Sequence, residues 1–272
     1  MLINGILFNS EAWHGVTAAQ IAKLEKIDED LLRGILKAHR KTPSEFLHLE
    51  TGTLPIRFIL AQRRINYLKH ILSRDSEELI RKVYSAQKED PTNGDFAKLV
   101  TKDLELLGFT EAELLSNNIS KLKLKISATN AAFSFLQNRQ TTHKKVKHIR
   151  YESMKVQEYL TSEIFSTKEA NMMTALRSHC VRGIKHNFSK MYKQNLKCSL
   201  NCSAENVFED TQEHVLYCKI LNNSVQETPL IHYMYGDTYQ QNQLSKTFCT
   251  LMGTREHILE PHDKEDDIMS AS

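Results

Sequence analysis

Thr42-Pro43-Ser44-Glu45-Phe46-Leu47-His48-Leu49-Glu50-Thr51-Gly52-Thr53-Leu54-Pro55-Ile56 is the stretch whose reading decides the fold. Thr42-Pro43-Ser44-Glu45 starts a short helix. Proline has no amide hydrogen to lose at a first helical position, and its fixed φ already suits the helix. Gly52 ends that helix and Pro55 opens the next, with Ile56, Ile59, Leu60, Leu68, Ile71 and Leu72 as its buried side. Apolar residues recur at helical spacing here, without the alternation of a half-buried strand.

The same punctuation continues in both directions. Upstream, Thr17 and Gln20 form a capping-box pattern ahead of Ile21, Leu24, Ile27, Leu31 and Ile35. Downstream, one helix follows Asp75 through Leu79, Ile80, Val83 and Tyr84 until Pro91, and another runs from Asp95 to Leu107 and is closed by Gly108. Thr110 with Glu113 caps a short helix, and Ser120 begins a longer one carrying Leu122, Ile126, Phe133 and Leu136. Residues 137–151 lose apolar periodicity and turn basic, which suits a linker or an exposed strand. Ser166 and Glu169 begin a further helix through Met172, Met173 and Leu176 to about Gly183. Each apolar stripe reads as core packing. The expected fold class is mainly α.

Composition agrees. Nine Gly and five Pro in 272 residues leave long stretches free to be helical, and 40% apolar residues suffice for real cores. With 25% charged residues and a mean hydropathy of −0.44, the chain reads as soluble. No apolar run approaches the roughly 20 residues that span a bilayer. Residues Met1 to Phe8 lack the cationic start and small-residue cleavage site of a signal peptide, so the expected location is intracellular, nucleus or cytoplasm, and not secreted. No nucleophile–base pair, phosphate-cradling glycine loop or open metal site is visible, which argues against an independent enzyme and identifies no small-molecule substrate.

The net charge of +3 conceals strong segregation. Residues 51–74 hold Arg57, Arg63, Arg64, Lys69 and Arg74 and no acid. Residues 114–151 hold Lys121, Lys123, Lys125, Arg139, Lys144, Lys145, Lys147 and Arg150, again with no acid. Residues 170–204 carry Arg177, Arg182, Lys185, Lys190, Lys193 and Lys197 on the same terms. Any one window could be a solvated helix face; three together favour phosphate binding, because a nearly neutral chain can present basic surfaces to a polyanion in this way.

Five cysteines, an odd number, argue against a disulfide framework in a chain without a signal peptide. Three of them join His214 in the pattern Cys198-x3-Cys202-x11-His214-x3-Cys218. Asp210 or Thr211 can cap a helix that places His214 and Cys218 on one face, one turn apart. Cys198 and Cys202 on a short loop would complete the tetrahedron that zinc prefers. With all four positions filled by protein, the zinc would be structural. Cys180 and Cys249 fall outside the pattern and read as buried thiols.

These residues also resemble a family. Ile6-Leu7-Phe8-Asn9-Ser10-Glu11-Ala12-Trp13 is similar to the "LYNSETW" segment that follows the catalytic palm of non-LTR retrotransposon reverse transcriptases. Leu31-Leu32-Arg33-Gly34-Ile35-Leu36 resembles "LLRKIL", and residues 42–56 resemble "TPKEMLYLELGxLPI". Arg63-Arg64-Ile65-Asn66-Tyr67-Leu68-Lys69-His70-Ile71-Leu72 is similar to "RRLxYLHHIL". Asn187 to Tyr192, Cys198, Cys202 and Glu209 to Cys218 look like "NFKxxY … CxxC … EDTQEHLLxC", except that three residues rather than two separate the first cysteines here.

The resemblance implies a helical thumb-like bundle, a helical linker and a small zinc knuckle. The expected division is a thumb-like segment at 1–74, a linker with a basic strip at 75–165, a basic helix plus knuckle at 166–222, and a C-terminal helix with acidic tail at 223–272. Polymerases of this kind hold catalytic Mg²⁺ on palm aspartates in a "YADD"-like turn. This chain has no such turn, and Asp266-Asp267 lies in a polar tail as a solvated acid cluster, so Met1 would begin just beyond the palm.

The expectation is therefore an RNA- or DNA-binding fragment of a retroelement polymerase. Helices of 17–74 would lie along a template–primer duplex, with Arg57, Arg63, Arg64 and Lys69 on phosphates. Arg139, Lys144, Lys145, Lys147, Arg150, Arg177, Arg182, Lys185, Lys190 and Lys193 would add further contacts. Tyr151, Phe188 and Tyr192 would be available to stack on unpaired bases. The rival expectation is a helical zinc module that binds acidic protein partners.

Overall fold

The computed structural model describes residues 5–13, 15–92, 95–116, 119–188, 196–200, 202, 208–218, 220–221, 230 and 234–269. Among these the chain is mainly helical, with no strand, and Lys197 and Glu209 form an isolated antiparallel bridge. Ten α-helices occur among the described residues: α1 Ala18–Leu36, α2 Ser44–Thr51, α3 Ile56–Leu72, α4 Leu79–Glu89, α5 Phe96–Leu107, α6 Glu111–Leu115, α7 Lys121–Gln140, α8 Thr167–Arg177, α9 Gln212–Tyr217 and α10 Thr238–Met269. Short 3-10 turns stand at Ser10–Ala12, Glu158–Leu160 and Lys185–Phe188. No helix among the described residues is long and apolar enough to cross a membrane.

The chain divides into two units. The first comprises Met1–Leu32, Leu47–Thr142 and Tyr151–Lys155; the second comprises Arg33–Phe46, His143–Arg150 and Val156–Ser272. The core of the first unit runs from Phe58 to Ala132 and so crosses the boundary expected at residues 74 and 75. The second core likewise joins Tyr159, Met173, Val215 and Phe248, residues on both sides of the boundaries expected at 165 and 222.

In the first unit α3 is the central element, packed by α5 and α7. Its buried residues include Phe58, Leu60, Ala61, Ile65, Leu68 and Ile71, which form one broad face rather than a narrow stripe. Phe58 meets Phe135 edge-on at 5.6 Å, and Tyr67 meets Phe96 at 5.5 Å, geometries that suit the aromatic quadrupole. The capping signals act as expected. Thr110 and Glu113 form a complete capping box, Ser120 accepts the Lys123 amide, and Gly108 takes φ +71° to close α5.

Two stripes are rotated from their expected faces. On α7 the buried positions are Leu124, Ala128, Ala132, Leu136 and Gln140, whereas Leu122 and Ile126 are exposed. Two alanines there let α3 approach closely, and small residues give little hydrophobic signal. On α1, Asp28, Leu32 and Leu36 are buried while Ile27 and Ile35 are exposed. Residues 141–150 form turns and not a strand, with Val146 and Ile149 buried.

The second unit packs α8 against α10. Ser166 and Glu169 complete a capping box on α8. That helix stops at Arg177 rather than near Gly183, because His179 adopts the left-handed conformation at φ 48°. Asn187 donates to the carbonyl of Val181 at 3.2 Å and to Gln212 at 3.1 Å, and Gln212 donates to the carbonyl of Leu176 at 3.2 Å. This buried amide relay fixes where α9 begins.

Candidate metal centre

Cys198 is placed by a pair of backbone hydrogen bonds. Its N–H donates to the Phe208 carbonyl at 2.9 Å, and the Asp210 N–H donates to the Leu196 carbonyl at 2.7 Å. Together they hold the first cysteine opposite the segment that leads into α9. Thr211, and not Asp210, caps α9: its hydroxyl accepts the His214 N–H at 3.0 Å. His214 then lies in the first turn, and Cys218 is the C-cap of the same six-residue helix.

Asp210 has a different task. Fully buried, it accepts from the Lys185 amide at 2.9 Å and from the Arg255 guanidinium of α10 at 2.6 Å, and Arg255 is itself 1% exposed. This anchor joins residues 45 positions apart, and no local pattern announces it.

The ligand atoms of Cys198, Cys202, His214 and Cys218 all lie within 4.8 Å of one another. The Cys202 sulfur is 3.2 Å from His214 Nε2. Tetrahedral zinc with ligands at about 2.0–2.3 Å keeps them roughly 3.3–3.8 Å apart, so a small contraction closes the cage. Burial, reinforced by the neighbouring Cys198 and Cys218, pushes the Cys202 thiol up to about 12. Burial pushes the His214 pKa down, with Asp210 and Arg255 acting in opposite directions, and neutral imidazole is the ligating form. The Phe208 ring stacks on His214 at 5.2 Å and 15°. Among the described residues, Leu200, Leu221 and Leu259 pack around the cysteines. A Cys3His group that could hold a metal ion is therefore present. Of the two remaining thiols, Cys180 is buried as expected, whereas Cys249 is only half-buried.

The predicted phosphate contacts meet different fates. Arg64 is 3% exposed and spends its fork on Asp103, with Nη2 at 2.9 Å, so it cannot reach a phosphate. Arg57 pairs with both oxygens of Glu25 at 2.6 Å. Arg63 donates to the Leu7 carbonyl and to Ser10, and Lys69 donates to the Ile119 carbonyl at 2.8 Å. Arg177 is buried between the rings of Tyr159 and Tyr235 and donates to the Met234 carbonyl, so it too is withdrawn from phosphate. Lys145 holds the carbonyls of His179 and Asn187. Tyr151 is buried and donates to Glu50, which removes it as a stacking platform.

Lys144, Lys147, Arg150 and Arg182 are exposed and form no ion pair among the described residues; Arg139 is exposed beside the Phe135 ring, and Lys185 is half-buried. Lys190, Lys193 and Tyr192 lie outside the described residues, as does the Phe188 side chain. Comparison with known protein families, curated proteins and solved structures gives no match.

Proposed function

We propose that this chain is a nucleic-acid-binding segment of the kind that follows the palm in non-LTR retrotransposon reverse transcriptases, with a structural zinc held by Cys198, Cys202, His214 and Cys218. The observation that carries the reading is the convergence of four ligating side chains, in the order of the resembled knuckle, within 4.8 Å. Three thiolates and an imidazole form a soft donor set that favours zinc over Mg²⁺ or Ca²⁺. All four ligands come from protein, so the ion would hold the fold and not activate water.

The exposed cations Lys144, Lys147, Arg150 and Arg182 supply the polyanion-binding surface. They lie in the same unit as the ligands. Their side chains are long and mobile, which suits phosphate positioning over base reading.

A salt titration of oligonucleotide binding tests this. Each neutralised phosphate contributes a slope of about −0.9 on duplex and −0.7 on single strand. Changing Lys144, Lys147 and Arg150 together to Ala is expected to flatten the slope by about two to three units. An unchanged slope in that triple variant, with affinity intact, would leave the helical protein-interaction module as the better account.

A further inference from the structure

A cleft of about 670 Å³ opens in the second unit, apart from the metal ligands. Its wall is built from the cations Lys37 in the turn after α1, Lys168 at the start of α8 and Arg182 beyond its end, with His39 beside Lys37. Its floor is apolar, formed by Met172 and Ala175 of α8 with Met252 of α10. One acid, Glu256, stands at the rim.

The wall is held in place by backbone geometry. Lys37 takes φ 48° and Ala38 donates back to the Arg33 carbonyl at 2.9 Å, the left-handed closure that ends α1 and turns the chain. His39 Nδ1 accepts the Lys41 amide at 3.1 Å, so in the neutral ring the proton sits on Nε2. Lys37, Arg40, Lys168 and Arg182 are exposed and make no ion pair among the described residues. Burial and then the charges of Arg182, Lys145, Lys41 and Arg40 all push the His39 pKa down, which reports a positive potential converging on one point. Just beyond Arg182, Gly183 at φ +79° lets the chain pass close to Met252: an added Cβ would lie 3.3 Å from its terminal methyl.

Unbalanced cations over a methionine floor select a ligand with phosphates at one side and a flat, polarisable ring at the other. Thioethers pack well on aromatic faces. A duplex keeps its base faces stacked inside and offers none to such a floor, whereas an unpaired strand does. The charge continues past the cleft to Arg40 and Lys145, more than a single phosphate requires. We propose that this cleft binds an unpaired nucleotide within single-stranded nucleic acid, its phosphates held by Lys37, Lys168 and Arg182 and its base laid on the partly exposed Met172. This rests on the nucleic-acid reading above and names the strand form that the second unit takes.

The test uses the full, zinc-loaded chain with a twelve-nucleotide oligouridine and a hairpin duplex, both followed by fluorescence anisotropy at fixed salt. Lys168→Glu with Arg182→Glu is expected to weaken oligouridine binding about tenfold or more and hairpin binding much less. Met172→Ala is expected to weaken only the single strand, by severalfold. Zinc content checks that each variant is folded. An oligouridine carrying 4-thiouridine should crosslink, on the unaltered chain, to a peptide from α8 or the middle of α10; adducts confined to other peptides would overturn the cleft. Wild-type binding that survives both substitutions, or is lost equally on both probes, overturns the cleft alone. If the unaltered chain binds neither probe at low salt, the nucleic-acid reading falls and the cleft with it.

Discussion

In the first unit Arg64 lies buried against Asp103, Arg57 is paired with Glu25, and Arg63 and Lys69 hold backbone carbonyls. In the second, Lys144, Lys147, Arg150 and Arg182 reach solvent without an ion pair among the described residues. The two sets look alike in sequence, as basic runs empty of acids. What separates them is where the helix that carries them sits. α3 buries one broad face, and Arg64 on that face must find an acceptor or leave charge uncompensated in the interior. The turns at 143–150 bury Val146 and Ile149 and spend Lys145 on the carbonyls of His179 and Asn187, while Lys144, Lys147 and Arg150 face outward. An acid-free window therefore predicts a binding surface only when its element is peripheral.

The units also differ in what closes them. The first has a continuous apolar core, whereas the cysteines of the second have only Leu200, Leu221 and Leu259 packed around them among the described residues. Removing the metal should therefore separate them most sharply. His214→Ala, or chelation, is expected to abolish binding of one zinc per chain and to free the amides of 196–218 to exchange, with α3, α5 and α7 still protected. Structural zinc in small modules contributes about 10–16 kcal/mol of apparent binding free energy, so this is the largest effect. Elemental analysis finding no zinc after metal-replete expression would remove the centre from the account.

The next test acts on the first unit. Arg64→Met leaves the Asp103 carboxylate buried without its partner, at a cost of about 3–5 kcal/mol read by urea unfolding. Burial already pushes the Asp103 pKa up, against the pull of Arg64. Adding Asp103→Leu is expected to recover most of the loss, because a well-packed apolar pair can replace a buried ion pair. A neutral single variant would place Arg64 back among the available cations.

A smaller effect comes from Asp28, which is 2% exposed on α1 with His48 Nε2 at 4.0 Å. Burial, then the nearby Glu29 and Glu25, push its pKa from 3.8 to about 6. Between those values the folded chain binds more protons than the unfolded one, so the contribution of Asp28 to stability falls as pH rises from about 4 to 6. Asp28→Asn is expected to stabilise the first unit at pH 7 by on the order of 1–2 kcal/mol and to do little at pH 4. Equal urea midpoints for the two proteins at pH 7 would show that Asp28 bears no such cost.

Much of this was legible in the residues. Thr110 with Glu113, Ser166 with Glu169, and Gly108 mark helix ends through local chemistry, so the boundaries they set can be read directly. The Cys3His group was legible because four rare ligating residues at fixed spacing leave few alternatives. The phases of α1 and α7 were not, because Asp28, Ala128 and Ala132 occupy buried positions that a hydrophobic pattern passes over. Nor was the fate of Arg64, decided by an aspartate 39 residues away, nor the cleft, whose wall and floor come from three separated stretches of chain.

The Asp210–Arg255 anchor also orders events in time. During synthesis the last metal ligand, Cys218, emerges well before Arg255. A growing chain can thus gather its thiols and imidazole while Asp210, which the finished protein buries completely, still lacks its guanidinium. Ligand capture comes first and burial of that carboxylate second. Until α10 arrives, the nascent metal corner must keep Asp210 in water.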